Sequence, residues 1–202
     1  MSRLTVGSIE GLTENSNVIS VPTGHSLNVA DAGGLQIGGS AVGLVHVSRT
    51  TIGTAVSSVT VSNCFSSTYD NYKVIVAIDS TTNNSQCVGQ LGAGSVTTTN
   101  YNSYLYTEQD AWGTFSPASV QSTSGLILGY CDNINVSHNS NDIISPYRAT
   151  LTSSFGFYTQ DDNGGFQISR QTDTTQFTDI TIGPAAGTMT GGFIDVYGYA
   201  KA

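Results

Sequence analysis

Charged side chains are scarce in this chain. Asp, Glu, Lys and Arg together make up 10% of its 202 residues, whereas about 25% is usual in soluble domains. The polar surface therefore has to be built from Ser, Thr, Asn, Gln and Gly. Because short polar side chains compete with the helical backbone for hydrogen bonds, this composition favours strands and turns over helices.

Basic residues are the scarcest of the charged ones. The chain has 6 Lys and Arg against 14 Asp and Glu, which gives a formal net charge of −8. Nucleic acid and anionic membranes are disfavoured as partners, because phosphate groups are neutralised by Lys and Arg. The sequence also has no apolar signal core and no run of membrane-spanning length. We expect synthesis in a cytoplasm, no membrane insertion and no nucleic-acid partner.

Residues with a catalytic pattern are missing as well. The only glutamates are Glu10, Glu14 and Glu108, and no serine lies in a GxSxG motif, so a hydrolase nucleophile has no support. Asp161 and Asp162 precede Asn-Gly-Gly, a sequence typical of a turn. We therefore predict a protein that is not an enzyme, with no catalytic residues and no cofactor.

Metal-ligand spacing is absent too. The three cysteines, Cys64, Cys87 and Cys131, form no CxxC pair. The three histidines, His25, His46 and His138, form no HxH or HExxH motif. The cysteines are expected to be buried, reduced thiols that act as small apolar side chains, and no metal site is expected.

A short repeat stands out near the N-terminus. Three apolar–x–apolar pairs follow one another at intervals of eight residues: Ile19 and Val21, Leu27 and Val29, and Leu35 and Ile37. An even period keeps all six side chains on one face of an extended chain. Such a narrow stripe has to be covered by a partner surface, and identical chains around a symmetry axis supply one. We predict that residues 1–42 form an extended arm for trimerisation and attachment.

The pattern of apolar residues changes after residue 42. Short apolar runs such as 72–78 alternate with turn signals, and the odd-numbered stripe of Leu151, Phe155 and Phe157 has the period of a strand. The turn at 161–165 predicts a hairpin. With eight to ten such strands, residues 43–202 predict an antiparallel, jelly-roll-like β-sandwich. A single helical turn is expected around Thr107–Trp112.

Aromatic residues are richest in one stretch, where alternation places Tyr104 and Tyr106 on the same face of a strand. Together with Trp112, these rings could stack on sugars while nearby amides bind hydroxyl groups. They are our predicted ligand contacts. Aromatic side chains pack in cores and interfaces more often than they bind sugars. This favours the alternative, in which these rings lie in the sandwich core and at a subunit interface.

Three stretches of the sequence resemble one family. Residues 59–74, VTVSNCFSSTYDNYKV, resemble the opening strands of jelly-roll modules in bacteriophage tail-fibre and head-fibre proteins. Residues 191–201, GGFIDVYGYAK, resemble the close of the same modules, and residues 18–35 resemble the N-terminal arms of fibre proteins from aquatic bacteriophages. None of these stretches is a catalytic signature.

The resemblance implies a homotrimer on the surface of a bacteriophage particle, with an arm followed by a β-sandwich head. Residues 1–42 would contact other virion proteins of the capsid, portal or tail, and the head would contact a host glycan or protein. A capsid decoration protein is the alternative role, and a polysaccharide depolymerase is the third. The number of copies per particle separates a fibre from a decoration protein.

Overall fold

Every element in the described part of the chain is a β-strand. The computed structural model describes residues 23–25, 36–37, 40–41, 43–108, 115–116, 124–160 and 163–201. Its fourteen strands are β1 Gln36–Ile37, β2 Ser40–Ala41, β3 Leu44–Thr51, β4 Val59–Val61, β5 Asn71–Thr81, β6 Ser85–Gly92, β7 Tyr101–Glu108, β8 Phe115–Ser116, β9 Leu126–Cys131, β10 Ser137–Ile144, β11 Thr152–Gln160, β12 Asn163–Gln171, β13 Asp179–Pro184 and β14 Met189–Tyr199. The all-β prediction is therefore confirmed.

The strands form two large antiparallel sheets. One sheet has eight strands in the order β3-β14-β5-β10-β11-β12-β7-β8, and the other has four in the order β4-β13-β6-β9. The short strands β1 and β2 pair with each other. The two large sheets pack as a β-sandwich around a main apolar core, to which both contribute side chains, and Leu105, Ile127 and Tyr158 form a second, smaller cluster.

Strand β5 shows how the sequence builds this core. Its alternate residues Tyr72, Val74, Val76 and Ile78 are all 0% exposed, as a strand with one buried face requires. Ile194 and Val196 of β14 join them from the neighbouring strand. Burying each aliphatic side chain of this kind contributes about 1.5–3 kcal/mol, and the core of these strands therefore anchors the sandwich.

Two stretches that carry the family resemblance meet in space. The ring of Tyr69 lies against Gly198, where a Cβ atom would overlap it, so the Tyr-Gly-Tyr ending needs glycine at this position. Tyr69 also packs edge-on against Tyr72, with the ring centroids 5.7 Å apart. The Tyr72 hydroxyl accepts from the Ser66 amide at 2.7 Å and donates to its carbonyl at 2.9 Å.

Local predictions have mixed outcomes. The hairpin is confirmed, since β11 and β12 pair along their whole length up to Gln160 and Asn163. The helical turn is wrong at its start, because Thr107 and Glu108 belong to β7. The described part of residues 43–202 has twelve strands, β3 to β14, which exceeds the eight to ten expected. The division into an arm of 1–42 and a head of 43–202 stays a prediction.

Candidate functional site

The predicted ligand contacts lie on the outward-facing surface of the eight-stranded sheet. Tyr104 is 39% exposed and Tyr106 half-buried on the outer face of β7, while Leu105 between them is fully buried. The alternative that these two tyrosines belong to the sandwich core is therefore wrong. Trp112 lies outside the described residues.

The predicted arm contacts are mostly beyond the described part of the chain. Five of the six, Ile19, Val21, Leu27, Val29 and Leu35, lie outside the described residues. Ile37 lies in β1, where its backbone pairs with Ser40 of β2. Their predicted role in trimer or particle attachment stays a prediction.

Tyr104 and Tyr106 are part of a larger apolar surface. The three neighbouring strands β11, β12 and β7 bring six apolar side chains together in two cross-strand rows, Phe157–Phe166–Tyr106 and Phe155–Ile168–Tyr104. We call these six residues the apolar outer face. Phe155, Phe157 and Ile168 are exposed by 48%, 67% and 53%, which is unusual for a cluster of large apolar side chains.

The first row is held together by aromatic stacking. The rings of Tyr106 and Phe166 are nearly parallel, with an interplanar angle of 13° and centroids 4.6 Å apart. Such cross-strand aromatic pairs stabilise a sheet by up to about 1 kcal/mol. The stacking also covers one side of each ring, so this row is a preformed apolar surface.

The second row borders an open depression. Its volume is about 460 Å³, and Tyr104, Ile168 and Leu151 form the apolar part of its lining. Asn102, Ser153 and Arg170 supply the polar part, and they continue the cross-strand rows at one end of the apolar outer face. Hydrogen-bonding side chains are thus available at this end.

The inner surface of the sheet from β10 to β7 is largely polar. The inward-facing side chains of β10, β12 and β7 include Asn139, Asn141, Gln167, Ser169 and Ser103, all exposed by no more than 1%. Strand β9, the edge strand of the four-stranded sheet, lies over them and contacts β7, β10, β11 and β12. Buried polar side chains are stable only when they are hydrogen-bonded.

These inward-facing side chains make hydrogen bonds with the backbone of β9 that a neighbouring strand would otherwise make. Ile127 donates its amide to Ser169 at 3.2 Å and to Ser103 at 3.3 Å, and Ser103 donates to the Gly125 carbonyl at 3.0 Å. Asn141 donates to the Leu128 carbonyl at 2.9 Å. The free edge of β9, which would otherwise leave buried backbone groups unpaired, is satisfied by the facing sheet.

A tight approach of the two layers goes with this network. Gly129 of β9 has φ +143°, and a Cβ atom there would overlap the amide oxygen of Asn139 and the side chain of Tyr158. Asn139 accepts the Tyr130 amide at 3.2 Å. Glycine is therefore required for β9 to come within hydrogen-bonding distance of the polar side chains.

The other half of the same sheet has a charged outer surface. Arg49 of β3 binds Asp195 of β14 with two hydrogen bonds, Nε to Oδ1 at 2.7 Å and Nη2 to Oδ2 at 2.6 Å. Hydrogen bonding to Arg49 is the main reason why the pKa of Asp195 is held below its usual value. The guanidinium also lies 4.2 Å from the ring centroid of Phe193. The nearby ammonium of Lys73 pairs with Asp142 at 3.2 Å.

The cysteines behave as the sequence predicts. Cys64, Cys87 and Cys131 are all unbridged and buried. Burial raises the pKa of the Cys64 thiol to about 12. The pKa of Cys131 is raised by its hydrogen bond with Cys87 and by burial. Among the described residues, no three His, Cys, Asp or Glu side chains form a group that could hold a metal ion.

The sequence reasoning missed the polar network. Its signal was present as small polar residues at alternate positions, Ser137, Asn139 and Asn141 in β10 and Gln167, Ser169 and Gln171 in β12. This alternation is normally a sign of the solvent side of a strand. Only the position of β9 shows that these residues face inward.

Comparison of the chain with known protein families, with curated proteins and with solved structures gives no match. In the described part of the chain, no helix is long and apolar enough to cross a membrane.

Proposed function

We propose that this chain is a non-enzymatic structural protein on the surface of a bacteriophage particle, a short trimeric fibre with a β-sandwich head. In this proposal, residues 1–42 contact other virion proteins. The head contacts a host surface glycan or protein. The proposal rests on the sequence resemblance, and the strand order of the head supports it.

Eight strands of the sandwich have the order of a jelly roll. Counted along the chain, β3, β4, β5, β6, β9, β10, β13 and β14 are numbers one to eight. One sheet then contains strands one, eight, three and six, and the other contains two, seven, four and five. This is the double-sheet arrangement common in viral capsid and lectin domains. This strand order is the structural observation that supports the proposal, and strands β7, β8, β11 and β12 are additions to it.

The mechanism of such a fibre is multivalent binding. Heads held side by side present several weak contacts together, and linked weak sites bind a surface far more tightly than one site does. The head needs no catalytic group for this, only exposed side chains on a rigid scaffold. The depression at one end of the apolar outer face, with Asn102, Ser153 and Arg170 in its lining, is the candidate host-contact surface on the described residues.

Electron microscopy of particles tests the proposal. An antibody raised against the purified chain, coupled to gold and applied to intact virus particles, is expected to label the particle surface at a few to a few tens of copies. Labelling of hundreds of sites over the capsid would instead favour the alternative, a decoration protein. Particles that carry no label and no peptide of this chain by mass spectrometry would contradict both roles.

A further inference from the structure

We propose that the apolar outer face is the surface through which copies of this chain contact one another. The inference rests on the proposed oligomeric fibre and assigns its head-to-head interface to strands β7, β11 and β12. The molecule that covers this face is a second copy of the chain.

The composition of the apolar outer face is better suited to a permanent protein contact than to exposure to water. Both of its rows consist of apolar side chains, and its most exposed member, Phe157, has 67% of its surface in contact with solvent. Removing apolar surface from water is favourable by about 25 cal/mol for each Å². Interfaces between identical subunits are also more apolar than those of transient complexes.

The charge of the chain indicates a second copy as the occupant. Each copy carries a net charge of −8, so two copies repel each other unless they meet through surfaces without charge. Neither row of the apolar outer face contains an ionisable carboxylate or ammonium group. When identical chains meet around a symmetry axis, a residue lies close to its own symmetry mates, and a carboxylate there would face another carboxylate. The uncharged face avoids this cost.

The charged half of the sheet differs from the apolar outer face. Its outer surface carries Asp195 and Asp142, but each is already bound within the chain, to Arg49 and to Lys73 respectively. Those ion pairs leave little charge for a partner to recognise. The apolar outer face has no such internal partner among the described residues, and its large side chains extend away from the sandwich.

A sugar fits the centre of this face less well. Carbohydrate sites combine an exposed ring with hydrogen-bonding groups around it, yet the rings of Tyr106 and Phe166 stack on each other. Polar groups adjoin only the second row, at Asn102, Ser153 and Arg170. Phenylalanine and isoleucine, which form much of the face, bring no hydrogen-bonding group at all.

The test compares the mass of the full-length chain and of two variants across nanomolar to micromolar concentrations, by mass photometry and sedimentation velocity. Phe157→Asp places a carboxylate at the β11 end of the first row, on its most exposed member. Thr51→Asp adds the same charge to an exposed residue of β3, on the same side of the sheet but far from the face. Circular dichroism checks that each variant is folded.

We expect the wild type and Thr51→Asp to associate alike. Phe157→Asp should associate about 100-fold more weakly, since like charges at an interface cost several kcal/mol and 1.4 kcal/mol is a factor of ten. Its fold should be unchanged, because the side chain points into solvent. Ile168→Gln, in the second row, should weaken association in the same direction.

Three results would overturn the inference. A wild type that stays monomeric would leave the face to the host ligand predicted for Tyr104 and Tyr106. A Phe157→Asp chain that associates like Thr51→Asp would place the contact elsewhere, for example in residues 1–42. Unfolding of both Phe157→Asp and Ile168→Gln would mean that the face stabilises the single chain. None of these results decides whether the protein lies on a particle, which the gold labelling tests separately.

Discussion

The eight-stranded sheet consists of two halves with opposite polarity. In the core half, formed by β3, β14, β5 and β10, the residues of β5 and β14 that face the four-stranded sheet are apolar, and ion pairs lie on the outer surface. In the extension, formed by β11, β12 and β7, most of the buried side chains on the inner surface are polar and the outer surface is apolar. The change takes place along β10, whose buried residues run from Ser137, Asn139 and Asn141 to Ile143.

The narrower partner sheet accounts for this difference. Four strands cannot cover eight, and among the described strands of the four-stranded sheet the edge strand β9 makes most of the contacts with the extension. An edge strand brings unpaired backbone groups, and amides and hydroxyls have to meet them. The inner surface is polar because it completes the hydrogen bonds of β9. Phe155, Phe157 and Ile168 lie on the outer surface instead, where we propose that a second copy of the chain covers them.

The largest expected effect compares the same substitution in the two halves. Ile194→Ala removes a fully buried side chain of the core half and should lower the free energy of unfolding by about 2–5 kcal/mol. Ile168→Ala removes an exposed side chain of the extension and should change it by less than about 0.5 kcal/mol. Urea denaturation at a concentration where the chains are monomeric measures both. Equal losses from the two substitutions would contradict the assignment of the halves.

A smaller effect is expected from the polar interior of the extension. Asn141→Ala leaves the buried Leu128 carbonyl without its hydrogen bond and should cost about 1–3 kcal/mol. The control Asn133→Ala changes an exposed amide and should leave the unfolding midpoint nearly unchanged. Amide hydrogen exchange should show faster opening of β9 in the Asn141 variant alone. A variant as stable as the control would remove the role assigned to the network.

The ion pair of the core half predicts a pH dependence. Because Arg49 lowers the pKa of Asp195 in the folded chain, the pair stabilises the fold above the unfolded carboxyl pKa of about 3.9. This stability is lost as the pH falls through the lower, folded pKa. The wild type should therefore be more stable than Asp195→Asn at neutral pH, and the gap should narrow in acid. In an Arg49→Gln background, the stability difference between Asp195 and its Asn variant should no longer depend on pH in this way. If the difference between wild type and Asp195→Asn were independent of pH, the ion pair would not have the role assigned to it.

The sequence predicted the elements better than their orientation. The apolar run at 72–78 identified β5, the period-two stripe identified β11, and the Asp-Asp-Asn-Gly-Gly sequence identified the β11–β12 hairpin. The predicted turn was too long, because residues 163–165 belong to β12. The same period could not say which side of β11 faces inward. Phe155 and Phe157 form the apolar stripe, yet Ser154 and Gly156, the two chain neighbours of Phe155, are the buried residues.

The reason lies in contacts between residues far apart in the sequence. Which face of β12 is inside depends on β9, which precedes it by more than thirty residues, and its polar interior depends on the unpaired edge of that strand. Alternation placed Tyr104 and Tyr106 on one face of β7 correctly. Their neighbours Phe166 and Ile168 join them only through the sheet register, which no local pattern contains.

Thiol labelling of β11 tests most directly whether its phenylalanines face outward and its small residues face inward. The three native cysteines are buried, so a new thiol is read against an unreactive background. We predict that Phe157→Cys reacts with a water-soluble thiol reagent at the rate of a free cysteine when the chain is dilute and monomeric. Ser154→Cys, at a site 1% exposed, should react only on unfolding. Fast reaction of the Ser154 variant together with protection of the Phe157 variant would contradict the account.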